Sequence, residues 1–266
     1  MSDSNDTTNR PTRRNVLKAT GGALAGLGGV MAANPASAQE PSLHRKFGRL
    51  NANITCDRLN NSLCDYVDTI SDYSDDPDHD PVDCSYVTPD EVCDYLKTID
   101  QSWNHYLNTV DWDGREGNAD RGAADNAEDA RSRVNNNDYV EAAIKSGRSL
   151  HFIQDIGTLV HTGREGEQAS DRDIHYDFED WVDNNWDNYF KDRADTTGYM
   201  SIDEKDDIEY WAWENAEMSH SRLEDQWYDI KYSGYYYDST KEAQGWSVYD
   251  ASHLSNGTLQ WIWENA

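Results

Sequence analysis

The sequence predicts an all-α protein, a single multi-helix bundle. Apolar residues recur at helical intervals along most of the chain, cap and stop residues cut those runs into helix-length segments, and strand-type alternation is scarce. The hydrophobic fraction is low at 36%, which leans toward disorder, but 10 Trp and 16 Tyr supply the large side chains from which a core can be built.

Taken in order, the chain opens on a targeting segment. Arg13-Arg14 stand before a mild apolar run, Ala19 to Ala33, and Ala36-Ser37-Ala38 offer small residues for cleavage. Residues 1–38 thus read as a twin-arginine export signal and 39–266 as one helical domain, delivered outside the cell or to its surface. The apolar run holds five glycines and is short for a permanent span, and no later stretch is long enough for one. Leu43 to Ile70 has a loose helical period. Cys56, Cys64, Cys84 and Cys93 form an even set without the CxxC pairs of a zinc ribbon, so two disulfides are expected, with three pairings open. Asp72 to Asp83 is an acidic loop. Thr88-Pro89-Asp90-Glu91 has the form of a helix start, leading toward Tyr106, and Val110 to Asn118 reads as a loop.

A helix is expected over Ala123 to Val134, closed by Asn135-Asn136-Asn137. Asp138 is placed to cap a central helix from Tyr139 to about Val160, whose apolar set is Val140, Ala143, Ile144, Leu150, Ile153 and Ile156. Ile174 to Tyr189, Ile208 to Trp227 and Leu254 to Trp263 follow as helical stretches, most Trp and Tyr falling in the core. A short hairpin is expected between Tyr228 and Trp246, with Tyr235-Tyr236-Tyr237 as a packed turn.

Charge narrows the function. The net charge is −28, from 51 acidic and 23 basic residues. This excludes a nucleic-acid-coating protein, which needs clustered Lys and Arg, and argues against docking on an anionic membrane by charge alone. A surface so acidic suits strong salt, where screening relieves self-repulsion.

The chemistry is concentrated in one segment. Among 8 histidines, His151 and Asp155 stand four apart on the expected central helix, His161 follows at or past its end, and His175 and Glu179 are again four apart at the start of the next helix. Four-residue spacing puts each pair on one helix face. One such pair is an ordinary surface ion pair. Two pairs with a histidine between them point to a metal site, and imidazole with carboxylate and no cysteine favours zinc. Five ligands from one segment exceed a single tetrahedral ion, so more than one metal is expected.

The segment Leu150 to His161, followed by His175-Tyr176-Asp177-Phe178-Glu179, resembles the zinc-dependent phospholipase C family, whose pattern is H-[YF]-x2-D-x5-H and then H-x3-E. Related single-strand nucleases end in H-x3-D, so Glu179 falls on the phospholipase side. The resemblance extends from about Trp103 to Trp263, with 39–102 matching poorly. It implies an all-helical bundle with three zinc ions. His151 and Asp155 match ligands of the first, Asp155 also bridging to the third, and His161, His175 and Glu179 match ligands of the second. His105, in Asn104-His105-Tyr106, matches a further first-zinc ligand. The family's upstream Asp, a metal ligand able to assist as base, has two counterparts, Asp78 and Asp90, with Asp78 preferred. The third zinc takes an N-terminal Trp and a nearby His. No Trp precedes Trp103 and His44 is the sole histidine near the mature N-terminus, flanked by Arg45-Lys46, so a two-metal site is the alternative. His220 and His253 are expected to cap or line the core. The activity implied is hydrolysis of a phosphoester, a phospholipid among the candidates. A nuclease-like phosphoesterase and a non-catalytic exported metal-binding protein are the competing readings, and nothing in the residues fixes the oligomeric state.

Overall fold

The structure, a computed structural model, describes residues 41–75, 107–108, 116–163, 172–233 and 237–266. It is an all-α bundle. In chain order the helices are α1 (Pro41–Leu59), α2 (Val67–Tyr73), α3 (Ala119–Asn135), α4 (Tyr139–Ile156), α5 (Arg172–Asn184), α6 (Lys191–Ala194), α7 (Lys205–Tyr228) and α8 (Asp238–Trp263). A two-residue antiparallel ladder, β1 (Leu107–Asn108) with β2 (Glu116–Gly117), is the only strand pairing among the described residues. No helix among them is long and apolar enough to cross a membrane.

The expected stretch Leu43 to Ile70 is broken in the middle. Asn60 takes a left-handed backbone (φ 49°), which Asn tolerates, and the Asn61 side chain accepts from the Leu63 amide to start a 3-10 turn, Ser62–Tyr66, that leads into α2. The Cys56–Cys64 disulfide closes this corner, with Cα atoms 5.0 Å apart. Cys84, Cys93, the acidic loop after Asp75 and the helix expected from Thr88 lie outside the described residues.

α3 starts at Ala119, earlier than expected, and ends as expected at the Asn run, where Asn137 is left-handed (φ 60°). Asp138 does not cap α4 with its side chain. Its carboxylate takes Arg133 at 3.2 Å instead, and the Asp138 carbonyl accepts the Ala142 amide. α4 stops at Ile156, before Val160: Gly157 still has a right-handed backbone, but Thr158 turns extended and a 3-10 turn, Leu159–His161, follows. Val140, expected in the core, is 54% exposed. From Ser149 to Ile156 every residue of α4 is buried, and the helix packs against α1, α2, α3, α7 and α8.

The expected hairpin between Tyr228 and Trp246 is not formed. α7 runs through Tyr228, a π turn covers Asp229–Ser233, and α8 already begins at Asp238. α8 is far longer than its apolar end suggested. It buries small polar residues that bond across to neighbours: Ser252 Oγ lies 2.6 Å from the Ala194 carbonyl, and the Asn256 amide donates to the carbonyls of Thr196 and Gly198. α7 begins at a capping box of Glu204 and Asp207.

Aromatic side chains fill the core in part. Phe47, Phe178, Trp186, Phe190 and Trp263 are buried, and the Trp263 indole donates to Ser146 Oγ at 3.0 Å. Tyrosine behaves otherwise than expected: Tyr199, Tyr210, Tyr228, Tyr232 and Tyr237 are exposed.

One close approach positions the site. A Cβ at Gly147 on α4 would lie 2.6 Å from the Ile70 carbonyl oxygen and 2.9 Å from the Ser74 nitrogen. Only glycine lets the end of α2 rest directly on α4 there, which brings Ser74 against the next turn of α4, where His151 stands.

Candidate metal centre

On α4, His151 Nε2 lies 3.2 Å from Asp155 Oδ2. The other carboxylate oxygen, Oδ1, is 3.4 Å from His44 Nε2, which comes from α1. The two imidazole rings lie together, centroids 4.2 Å apart, and all three residues are wholly buried. His44 is therefore no surface residue, despite Arg45 and Lys46 beside it. Its helix buries Leu43, His44, Phe47, Gly48, Asn51, Ala52 and Thr55, a stripe that places His44 inside.

Both rings are held from behind. The His151 Nδ1–H donates to the Ser74 carbonyl at 2.9 Å, and the His44 Nδ1–H donates to Gln154 Oε1 at 2.7 Å. A carbonyl oxygen only accepts, so Nδ1 carries the hydrogen in each ring and the neutral form keeps its lone pair on Nε2, toward Asp155. Two lone pairs and a carboxylate facing one another in a dry interior repel unless a cation, proton or metal, lies between them.

The second group forms where α5 meets the turn after α4. Glu179 Oε1 is 2.8 Å from His161 Nε2 and 2.9 Å from His175 Nε2. The two ring centroids are 4.7 Å apart, and the three side chains are buried. Burial pushes the Glu179 carboxyl up, but the charge of His175 and hydrogen bonds from His161 and His175 outweigh it, leaving it below the usual carboxylate value. Asp177, two residues after His175, is exposed.

Each triad thus brings together one ligand atom from each of two histidines and a carboxylate, all within 4.8 Å of one another. Ligands about 2.0–2.1 Å from a tetrahedral zinc stand about 3.3 Å apart. The first triad's contacts, 3.2 Å to Asp155 Oδ2 and 3.4 Å to its Oδ1, are near that spacing, and the 2.8 and 2.9 Å contacts of the second, both to Glu179 Oε1, need only a slight opening. Both triads fit a divalent cation. Of the other residues singled out in the sequence, His105, Asp78 and Asp90 lie outside the described residues.

The turn presenting His161 is tied down at several points. The Gln244 amide donates to the Gly157 carbonyl at 2.8 Å while its Oε1 accepts the Leu159 amide at 3.0 Å. His220 Nδ1–H donates to the Thr162 carbonyl at 2.7 Å. His253 is partly buried against Gly198 and lies 3.0 Å from Thr196 Oγ1, and burial, with the charge of Arg58, holds its pKa below the usual histidine value against the pull of Asp250. Ser74, Gln154 and Gln244 carry no sequence signal as supports of the site, since an isolated hydroxyl or amide looks the same in a core or on a surface.

The chain matches no protein-family model and no curated protein sequence. Solved structures do match. The alpha-toxin of Clostridium absonum aligns with a TM-score of 0.58 at 15% identity, over 86% of this chain and 64% of the toxin. The alpha-toxin of Clostridium perfringens from the avian strain SWCP aligns with a TM-score of 0.52, also at 15% identity, over 88% of this chain and 66% of the toxin. The chain has the alpha-toxin fold. It spans about two thirds of the length of those toxins. The likeness reaches well beyond the stretch from Trp103 to Trp263, so most of the chain shares the architecture even where the sequence pattern is weak.

Proposed function

We propose that the chain is an exported zinc-dependent hydrolase of phosphoesters, of the phospholipase C kind, with residues 1–38 as its export signal. The observation that carries this reading is the pair of buried triads, His44–His151–Asp155 and His161–His175–Glu179, on a helical bundle of alpha-toxin architecture. His44, His151 and Asp155 hold one metal ion, with His105 and an upstream aspartate, Asp78 or Asp90, as further ligands of this cluster. His161, His175 and Glu179 hold a second ion. Zinc, when bound, supplies a Lewis acid for the phosphoryl oxygens and an activated water as nucleophile.

The protein's own residues set the conditions for this. Ser74 and Gln154 fix the His151 and His44 tautomers, so that both rings present Nε2 without reorganising. Asp155 faces an imidazole with each oxygen, His44 through Oδ1 and His151 through Oδ2, which sets its negative charge against both rings. Phosphodiesters are the substrate class. The His-x3-Glu ending at Glu179, where the related nucleases carry aspartate, favours phospholipid over nucleic acid within that class.

The test is direct. Protein purified without chelator is expected to carry at least two zinc ions per chain and to turn over a chromogenic phosphodiester, with activity lost to a chelator and restored by zinc. Less than one zinc per chain, or turnover indifferent to chelation, rejects the proposal.

A further inference from the structure

His220 stands on α7, 58 residues from Thr162 in the chain and outside the metal motif. It is 2% exposed. Its Nδ1–H reaches the carbonyl of Thr162, the residue after His161, at 2.7 Å. Its Nε2 is 3.5 Å from Glu224 Oε1, one turn further along α7. α7 as a whole packs against the Leu159–His161 turn.

We infer that His220 is a positioning residue: through the Thr162 peptide it fixes the orientation in which His161 meets His175 and Glu179. A three-residue 3-10 turn closes on few hydrogen bonds of its own and holds no side-chain direction by itself. This one is tied at both ends. Gln244 on α8 holds Gly157 and Leu159 at its start, and His220 on α7 holds Thr162 at its finish. His161 lies between these anchors, on the stretch nearer His220. Thr162 is fully buried, so its carbonyl has no water to replace a lost donor. The peptide plane would turn to find one, carrying His161 off the line that places its Nε2 at 2.8 Å from Glu179. His220 acts through this peptide. It acts on the second triad alone, because the first is supported by Ser74 and Gln154.

The inference rests on the second triad holding a metal, and the experiment separates the two. Three full-chain variants are made: His220→Ala, His220→Asn and His220→Gln. Asn keeps a donor at the position of Nδ1, Gln moves it one bond outward, and Ala has none. Metal-free protein is titrated with cobalt(II), read by its visible absorption, with Glu179→Gln as the reference in which only the first centre fills. The expected result is a loss of about 10- to 100-fold in affinity at the second centre for His220→Ala, the first centre unchanged. His220→Asn recovers most of it and His220→Gln does not. Wild-type affinity at both centres in His220→Ala, equal losses at both, or a His220→Asn no better than His220→Ala overturns the assignment of His220. A wild-type protein that takes up no cobalt at all overturns the metal reading itself, and this inference with it.

Discussion

Asp155 meets an imidazole on each of its two oxygens, at 3.4 and 3.2 Å, inside a wholly buried group. In the proposed reading its charge offsets the metal cations, so Asp155→Asn keeps the shape and removes that charge. The expected outcome is loss of one or more zinc ions and a fall in phosphoester turnover of about a hundredfold or more, with the far-UV circular dichroism unchanged. Asp177→Asn is the control, since that side chain is exposed, and it should keep wild-type zinc content and rate. If both variants behave alike, the segment from His151 to Glu179 is not the metal site. The candidate ligands in that segment were legible in sequence because four-residue spacing is itself a geometric statement, and the structure places His161, His175 and Glu179 side by side. His44 was only weakly legible. Its immediate neighbours are basic, and the signal that identifies it is the buried stripe from Leu43 to Thr55 rather than any motif. The supports, Ser74 through its carbonyl and Gln154 through its amide, act by atoms that nearly every residue or every amide possesses, so no pattern of residue types marks them.

Among the elements, the end of α2 is the part on which the first triad leans. Gly147→Ala puts a methyl group where the Ile70 carbonyl and Ser74 nitrogen already are, 2.6 and 2.9 Å from the new carbon. Both neighbours are backbone and give way only by moving α2, which draws the Ser74 carbonyl from His151. The expected cost is about 1–3 kcal/mol, seen as a lower midpoint in urea, together with weaker metal binding at the first centre. A variant as stable as the parent with unchanged metal affinity would show that α2 does not set the site. The corner between α1 and α2 gives a second prediction. The Cys56–Cys64 bridge closes a loop of sequence separation 8, for which the chain-entropy relation gives about 2.5 kcal/mol. Cys56→Ser should lose about that much stability and keep its zinc, as judged by denaturation and elemental analysis side by side. Helix existence was readable wherever apolar spacing was regular, as in α4 and α7. Helix ends were less so. α8 was foreseen only for its apolar close at Leu254 to Trp263, because its earlier turns lack a regular apolar stripe and include Thr240, Gly245 and Ser247, residues of modest helix propensity that burial and tertiary hydrogen bonds hold in helical form. The same weakness in local pattern made Tyr228 to Trp246 look like a hairpin.

For the whole molecule the governing quantity is charge. A chain of net −28 places its few cations where they tie helices together: Lys46 with Asp183 joins α1 to α5, Arg222 with Asp250 joins α7 to α8, Arg131 with Glu264 links α3 to the end of α8, and Lys205 on α7 sits between Asp125 and Glu128 of α3. Those two acids push the Lys205 ammonium up to about 12, against a small loss from burial. Salt weakens both such pairs and the repulsion among the surplus acids, with opposite effects on stability. Exposed ion pairs contribute about 0.2–1 kcal/mol each and weaken as salt rises. Repulsion among the unpaired carboxylates acts over the whole surface and weakens too, from a screening length of about 10 Å at 0.1 M to about 3 Å at 1 M. With 51 acidic residues against 23 basic ones, like-charge pairs outnumber opposite-charge ones, so the balance favours salt. The expected result is a melting temperature that climbs steadily as sodium chloride is raised from 0.1 to 2 M, with unfolding on dialysis into dilute buffer. Sucrose at matched osmolality separates screening from solute exclusion, since it is also excluded from protein surfaces but carries no charge. It should recover little of the stability that salt confers. A melting temperature that stays level or rises as salt is withdrawn would mean that the helix-linking ion pairs, and not the repulsion, decide the stability of the bundle.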